Sequence, residues 1–464
     1  MAFIAPLKGV HFNPQKVGSL DEVVTPPYDV INTQNVESYR DKNPYNMIRL
    51  DIVKNPGAGD AGEARYTEAA ALFQQWLDEE ALIRDPEPGL YLYSTEYSHP
   101  SGQRLTRKGF VGLVGLAEFA EGVVKPHEQT FETVIADRLR LTATCKAQFS
   151  QIFSLYSDPE NEAMRLLEQE AREAVGSVTD ADGCVHSLWR VVAPAAIKAV
   201  QRFFMDKSLY IADGHHRYTT ALAYRKMVRE AAGGGELPSN HPANHIIMYL
   251  CPMEDPGLSV LPTHRLLRWP GKMETTELLS RLDRYFHCEE IKGGGRSALI
   301  ADVLARMDAL ERQSPDKSSS TFGLYHPAQD RCFLLSLKQE ARDVLAGRPP
   351  SLRGLDVVVL SDIIIGKALG LDHHRCEQEN LVGYFSNASE ALEAAVGECA
   401  ANSAPDSLFT PLLFVMNPTR VGQVRDVADH NLIMPHKSTY FYPKIMTGLL
   451  FNQLVEGEVI DRLA

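Results

Sequence analysis

Residues 209–217 read Leu-Tyr-Ile-Ala-Asp-Gly-His-His-Arg, and no other run constrains the fold as much. The apolar stretch Leu209-Tyr210-Ile211 has the composition of a buried strand. Helical spacing then continues to about Glu230, so the chain must turn from strand to helix across Asp213 and Gly214. The pattern predicts Asp213 as N-cap, its carboxylate accepting a backbone N–H. Gly214 is expected to let a ligand approach the backbone closely. The first turn of a helix offers free N–H groups and about half a positive charge. His215, His216 and Arg217 add side-chain donors there, and a guanidinium can grip a phosphate through two parallel bonds. Asp213, Gly214, His215, His216 and Arg217 are therefore expected to cradle an anion such as a nucleotide phosphate.

Strand and helix alternate along the rest of the chain. Strand-like patterns at 89–97, 108–119, 151–156, 186–192 and 245–252 are interleaved with helical spacing at 61–83, 132–147, 159–174 and 195–205. Beyond them, helices are predicted over 275–286, 297–312, 357–369 and 388–400. Strands are predicted over 321–326, 331–337 and 408–416, and 314–320 reads as loop. This alternation predicts an α+β or mixed α/β protein. A chain of 464 residues suggests two or three units. The run Ala231-Ala232-Gly233-Gly234-Gly235 marks a soft break. The expected division is 1–235, holding an N-terminal segment and the catalytic core, and 236–464, an α/β unit with a closing segment at 434–449.

The formal net charge of -13 disfavours broad binding to nucleic acid or an anionic membrane, and no lysine/arginine run reads as a nucleic-acid stripe. The seven cysteines are scattered and form no Cys-x-x-Cys pair, the pattern of reduced thiols in a cytoplasm. No signal peptide is read at the N-terminus. The longest apolar candidate for a membrane span, Val357 to Ile365, is interrupted by Ser361 and Asp362. A cytoplasmic protein is expected.

Two further constellations carry chemistry. In Pro126-His127-Glu128-Gln129-Thr130 a carboxylate stands beside an imidazole in a loop after a strand, the components of a general base. The bland alternative is a polar loop in which Thr130 caps the following helix. Asp137, Arg138 and Arg140 on that helix suit either phosphate contacts or surface ion pairs. In Lys437-Ser438-Thr439-Tyr440, with Lys444 nearby, a hydroxyl-rich turn lies between two lysines and could bind an anion. The Gly-x-x-x-x-Gly-Lys pattern is missing, so it is no literal P-loop. A near-copy of the main motif, Asp372-His373-His374-Arg375, lacks the glycine and the apolar strand, and reads as a solvated turn. Zinc is the rival use of His127, Glu128, His215 and His216, but adjacent histidines in a helical turn point apart. A Mg²⁺ ion accompanying a nucleotide, with Asp213 or Glu128 as oxygen ligand, suits the residues better.

Several segments together resemble the domain-of-unknown-function-1015 family. They are Val24-Thr-Pro-Pro-Tyr-Asp-Val30, Asn43-Pro-Tyr45, Pro126-His-Glu-Gln-Thr130, Asp137-Arg138, Ala212-Asp-Gly-His-His-Arg-Tyr218, Pro262-Thr-His-Arg265 and the closing 434–449. More distantly, Pro-His-Glu followed by Asp-Gly-His-His-Arg resembles the free serine kinases of the ParB/sulfiredoxin superfamily. That resemblance implies a ParB/sulfiredoxin-like core with an additional α/β C-terminal unit. It implies Glu128 as the catalytic base acting on a hydroxyl, His127 shaping the same pocket, and Asp213, His215, His216 and Arg217 holding nucleotide phosphates. The two motifs stand over eighty residues apart, a longer gap than a compact kinase core needs.

The leading expectation is thus a small-molecule kinase that uses ATP or ADP with Mg²⁺ to phosphorylate a hydroxyl, with free serine as candidate acceptor. Its partners would be the nucleotide and the small substrate, and a homodimer is left open. A nucleotide-binding switch without small-molecule turnover is the second expectation, and a metal-dependent phosphatase using His215, His216 and Glu128 the third.

Overall fold

The structure is a computed structural model that describes residues 1–52, 61–313, 320–402 and 409–460. It is a mixed α/β protein whose chain forms two compact units. The first takes in Met1–Ser259 and the chain from Phe441 on; the second is Val260–Tyr440. This differs from the division expected at residue 235. The strand His245–Pro252, beyond the glycine break, pairs with strands on both sides of it in the first unit, so the break is a surface excursion. The closing segment is also divided, because the chain re-enters the first unit from Phe441.

The first unit is built on a nine-stranded mixed sheet. Its strands are β1 (Ile4–Ala5), β2 (Leu90–Ser98), β3 (Arg104–Gly115), β4 (Val124–Lys125), β5 (Ile152–Tyr156), β6 (Glu173–Thr179), β7 (Val185–Val191), β8 (Leu209–Asp213) and β9 (His245–Pro252). The order across the sheet is β4-β8-β5-β9-β3-β2-β7-β6, with β1 paired to β3. Five helices belong to this unit's account: α1 (Ala61–Asp78), α2 (Glu132–Cys145), α3 (Glu162–Glu168), α4 (Pro194–Phe203) and α5 (His215–Ala231). The helix expected over 159–174 stops at Glu168, and the chain then forms edge strand β6.

Side chains alternate across a sheet with period two, so each strand contributes to both faces. Phe110, Ile152, Tyr156, Ile211, Met248 and Leu250 share one face and form a buried cluster with residues of α3, α4 and α5. Tyr156 and Phe204, just past α4, meet with ring centres 4.6 Å apart, and Phe110 closes on Phe204 at 5.7 Å. Each such ring contributes roughly 1.5–3 kcal/mol through burial. On the opposite face Asp213, Phe153 and Tyr249 are paired in turn across β8, β5 and β9, and Arg107 of β3 and Tyr93 of β2 share that face by alternation. The C-terminal return covers part of that face. Phe441 packs on Phe153 at 5.7 Å, the Met446 N–H donates to the Tyr93 hydroxyl, and Arg107 donates to the Pro443 carbonyl at 2.7 Å.

The second unit has its own six-stranded sheet, formed by β10 (His264–Pro270), β11 (Phe286–Ile291), β12 (Thr321–His326), β13 (Arg331–Leu337), β14 (Val382–Phe385) and β15 (Phe409–Val415). Helices α6 (Arg296–Gln313) and α7 (Ala388–Ala401) bury Val303, Met307, Ala391 and Ala395 against it. Helices and strands are combined here as expected, but every described pairing in this sheet is antiparallel, so the unit is α+β rather than built from the parallel units of an α/β fold. Of the loop expected over 314–320, all but residue 320 lies outside the described residues. Asp372 does not stand in a plain turn: its side chain accepts the Arg375 N–H and caps the short helix His373–Gln378. No helix among the described residues is long and apolar enough to cross a membrane.

Candidate functional site

The strand–turn–helix expected at residues 209–231 is present as β8 and α5, but two of its residues do different work from that predicted. The pairing of β8 with β5 runs Tyr210 to Leu155 and Ile211 to Ser154, then shifts, so that Asp213 rather than Ala212 faces Phe153. Such an extra residue re-aims the side chain that follows it. Asp213 is consequently not the N-cap; Gly214 is, and no side chain caps the helix. The Asp213 carboxylate lies between two cations instead. Lys444 Nζ meets Oδ1 at 2.5 Å, and Arg217 Nη2 meets Oδ2 at 2.5 Å. Burial alone would raise its pKa, but Lys444 and Arg217 outweigh burial and hold it below the usual carboxylate range.

Gly214 has φ +96°, the left-handed region that favours glycine. A Cβ there would stand 2.9 Å from Arg217 Nε. The missing side chain therefore makes room for the protein's own guanidinium, where the sequence suggested room for a ligand. Arg217 also donates to the Gln151 carbonyl, so its direction is fixed from two sides.

The loop bearing His127 and Glu128 docks against the first turn of α5. The backbone N–H of His127 donates to Nε2 of His215 at 3.2 Å. Nε2 is then the acceptor nitrogen of that ring and Nδ1 carries the proton. Nδ1 lies 3.3 Å from Glu128 Oε2, so the protonated nitrogen stands at ion-pair distance from the carboxylate. Burial opposes ionisation of Glu128. The His215 imidazole beside it, with His127 and the Lys444 ammonium, outweighs burial and holds the carboxyl well below the usual range. His127 is fully buried, its ring edge-on to His215 at 4.6 Å. Burial, reinforced by His215, lowers its pKa to about 3, so it is neutral near pH 7. His216 points elsewhere: it accepts the Phe131 N–H at 3.1 Å and stacks on the Phe131 ring. Phe131, not Thr130, is the N-cap of α2, and it makes no side-chain cap bond.

The N-terminal segment supplies groups that sequence reasoning left without a role. Burial raises the Tyr28 phenol to about 12, against the pull of Arg217, so the hydroxyl keeps its proton beside that guanidinium. The Tyr28 ring lies under Arg138 at 4.5 Å. Arg138 in turn binds buried Asp51 at 2.8 Å and Asp137 at 2.5 Å. Arg138 thus belongs to the interior of the unit, whereas Arg140 is exposed and pairs with Glu63. The only pointer to Tyr28 was the unusual Thr25-Pro26-Pro27-Tyr28-Asp29 run, which carried no spacing logic, and nothing in the sequence singled out Asp51. Lys444 was flagged merely as a neighbour of Lys437.

Lys437, Ser438 and Thr439 belong to the second unit. There Ser438 donates to the Pro435 carbonyl, the Ser438 carbonyl accepts from Thr419, and the Lys437 carbonyl accepts from Arg265. The described residues contain no group of three or more His, Cys, Asp or Glu side chains able to hold a metal ion. The donor set explains this. Nε2 of His215 is occupied by a backbone N–H, His216 faces away, and both Asp213 oxygens sit on cations. The expectation that Asp213 ligates Mg²⁺ does not fit this arrangement.

A family profile described as a protein of unknown function (DUF1015) matches residues 4–358. The chain belongs to that family. No curated protein matches it. Among solved structures, a DUF1015 chain such as this one is similar to a free serine kinase in complex with AMP, at 12% identity and TM-score 0.31, covering 72% of this chain and 90% of that one. SbnI with C-terminal truncation from Staphylococcus aureus is similar at 9% identity and TM-score 0.33, covering 75% and 90%. A conserved hypothetical protein from Pyrococcus furiosus is similar at 12% identity and TM-score 0.30, covering 72% and 94%.

Proposed function

We propose that this DUF1015 protein is a nucleotide-dependent phosphotransferase that moves a phosphoryl group onto the hydroxyl of a small molecule. The observation that carries this reading is Glu128, an ionised carboxylate oriented by His215 Nδ1 at the N-terminus of α5, with Lys444 and Arg217 flanking Asp213 beside it.

Phosphoryl transfer asks a protein for positioning and charge neutralisation more than for covalent chemistry. Glu128 meets the first need. It accepts the acceptor's O–H, aligns the oxygen for attack on the terminal phosphorus of ATP or ADP, and takes the proton as the new P–O bond forms. The bond from that phosphorus to the leaving nucleotide breaks in the same step. A carboxylate of low basicity is a weak general base, so its main part is to align the hydroxyl, with the proton passing to it late in the step. Lys444, Arg217 and the free N–H groups of α5 meet the second need, facing charge that spreads over the phosphoryl oxygens. Asp213 keeps the two cations in place. His127 and His215 hold the Glu128 carboxylate.

The same motif resemblance favours a ParB/sulfiredoxin-like core and makes free serine the first acceptor to try. In this reading the closing segment contributes Lys444, and no step is routed through a metal ion.

Phosphorus NMR on the full chain with ATP or ADP, with and without free serine, tests the reading. An acceptor-dependent phosphomonoester signal that disappears in Glu128→Gln is expected. Nucleotide binding without a phosphomonoester from serine or other small alcohols would sink the transferase and leave a nucleotide-binding switch.

A further inference from the structure

A pocket between α2 and α5 lies beside the site described above and shares Arg217 with it. Its empty space, with the open mouth counted in, is about 570 Å³. Leu141, Phe149, Ala221, Tyr224 and Ile246 make its walls largely apolar, and Arg217 lines it as well. The helix explains the pairing of these features. Arg217, Thr220, Ala221 and Tyr224 follow one another at i, i+3, i+4 and i+7, so one face of α5 carries both the guanidinium bound to Asp213 and the pocket wall.

Two lining side chains each carry one buried oxygen that makes no hydrogen bond. Thr220 is 4% exposed and its Oγ1 makes no hydrogen bond; Asp51 is 4% exposed and its Oδ2 makes none. A buried polar group left unmade costs about 1–3 kcal/mol, so such groups point to a ligand that supplies the missing bonds. An acyl chain would fill the apolar walls and leave both atoms unsatisfied. A nucleoside has the complementary chemistry: a flat, largely apolar ring with polar edges, and ribose hydroxyls that can donate to a carboxylate.

We infer that this pocket receives the base and ribose of the nucleotide. The inference rests on the phosphotransferase reading for its phosphate end. Arg217 joins the two regions, since it borders the pocket and pairs with the residue that anchors Lys444.

Calorimetric titration of the full chain with adenosine, ADP and inorganic tripolyphosphate separates the possibilities. Two variants are compared: Ala221→Leu, which fills the pocket, and Thr220→Val, which removes one hydroxyl at nearly constant shape and guards against a folding artefact. The expected result is adenosine and ADP weakened about tenfold or more by Ala221→Leu and severalfold by Thr220→Val, with unchanged melting for the latter and tripolyphosphate affinity within about twofold of wild type. Adenosine and ADP binding equally to all three proteins would overturn the pocket and spare the phosphate site. So would wild-type protein that binds tripolyphosphate but neither nucleoside compound. Adenosine binding blocked by Ala221→Leu, with no tripolyphosphate binding, would keep the pocket and overturn the phosphotransferase reading. No binding of any probe would overturn both.

Discussion

Lys444 and Asp213, 231 positions apart in sequence, meet in a single ion pair of 2.5 Å. Both side chains are largely shielded, at 14% and 13% exposure. The pair ties the end of the chain to the end of β8. Arg107 fixes the approach by donating to the carbonyl of Pro443, one residue before the lysine. The fully buried Arg107 guanidinium is itself sandwiched near the rings of Phe153 and Tyr249, at 4.7 and 5.5 Å. This cation–π contact compensates part of its lost hydration.

Replacing Lys444 by Met should weaken ADP about tenfold or more, because the proposed phosphate site then loses one of its two cations. Asp213 retains Arg217, so the loss of stability should stay near 1–3 kcal/mol, the range for a buried group that loses one partner. Urea denaturation and ADP titration measure the two effects. Unchanged ADP affinity would remove Lys444 from the phosphate role.

Glu128→Gln should reduce turnover by roughly 10²–10⁴ while ADP affinity stays within about threefold. Because its pKa lies well below the usual carboxylate range, Glu128 remains ionised from pH 8 to pH 5. Its state therefore gives no acid limb to the rate in that interval. An acid limb between pH 7 and pH 5 that is present in the wild type and missing from Glu128→Gln would contradict the assigned environment.

His127 makes stability depend on pH. In the fold its pKa is lowered to about 3, whereas an unfolded histidine titrates near 6.5. Between those values the unfolded chain binds a proton that the folded chain refuses, so stability rises with pH by up to about 1.4 kcal/mol per unit. The contribution is fully present above about pH 6.5 and is lost as pH falls toward 3. His264, lowered to about 4 by burial and by Arg265, acts in the same direction in the second unit. Denaturation at several pH values should show His127→Gln with a shallower slope than wild type, the His264 part remaining.

Gly214→Ala should lose about 1–3 kcal/mol of stability through strain at φ +96°. It should also weaken ADP, since the new Cβ meets Arg217 and displaces it from Asp213. A variant as stable as wild type, with unaltered ADP affinity, would show that the turn relaxes without moving the guanidinium.

Much of this site was legible beforehand. Pro126-His127-Glu128 and Asp213-Gly214-His215-His216-Arg217 are local patterns, and a strand followed by an amphipathic helix is specified by side-chain periodicity within one short segment. The bond from the His127 N–H to His215 then brings Glu128 to His215. Roles inside the motif were less legible. Asp213 has the chemistry of an N-cap and is adjacent to the helix, yet a one-residue slip in the pairing of β8 with β5 turns it toward Lys444. His215 and His216 are the same residue type side by side. Only the 100° rotation per helical residue sends one ring to Glu128 and the other to Phe131.

The sequence by itself determined the alternation of strands and helices, the turn that opens α5, and the types of polar and charged group gathered at that turn. Those depend on interactions between residues a few positions apart, which a linear pattern records. The tertiary structure alone decided the units and the partners. Strand 245–252 joins the first sheet across a glycine-rich break, and the chain's end returns to give Asp213 its lysine. It also made Tyr28, Asp51 and Arg138 into a buried group near Arg217. These are long-range contacts, fixed by which buried faces and charges can be satisfied together. No spacing along the chain encodes that condition.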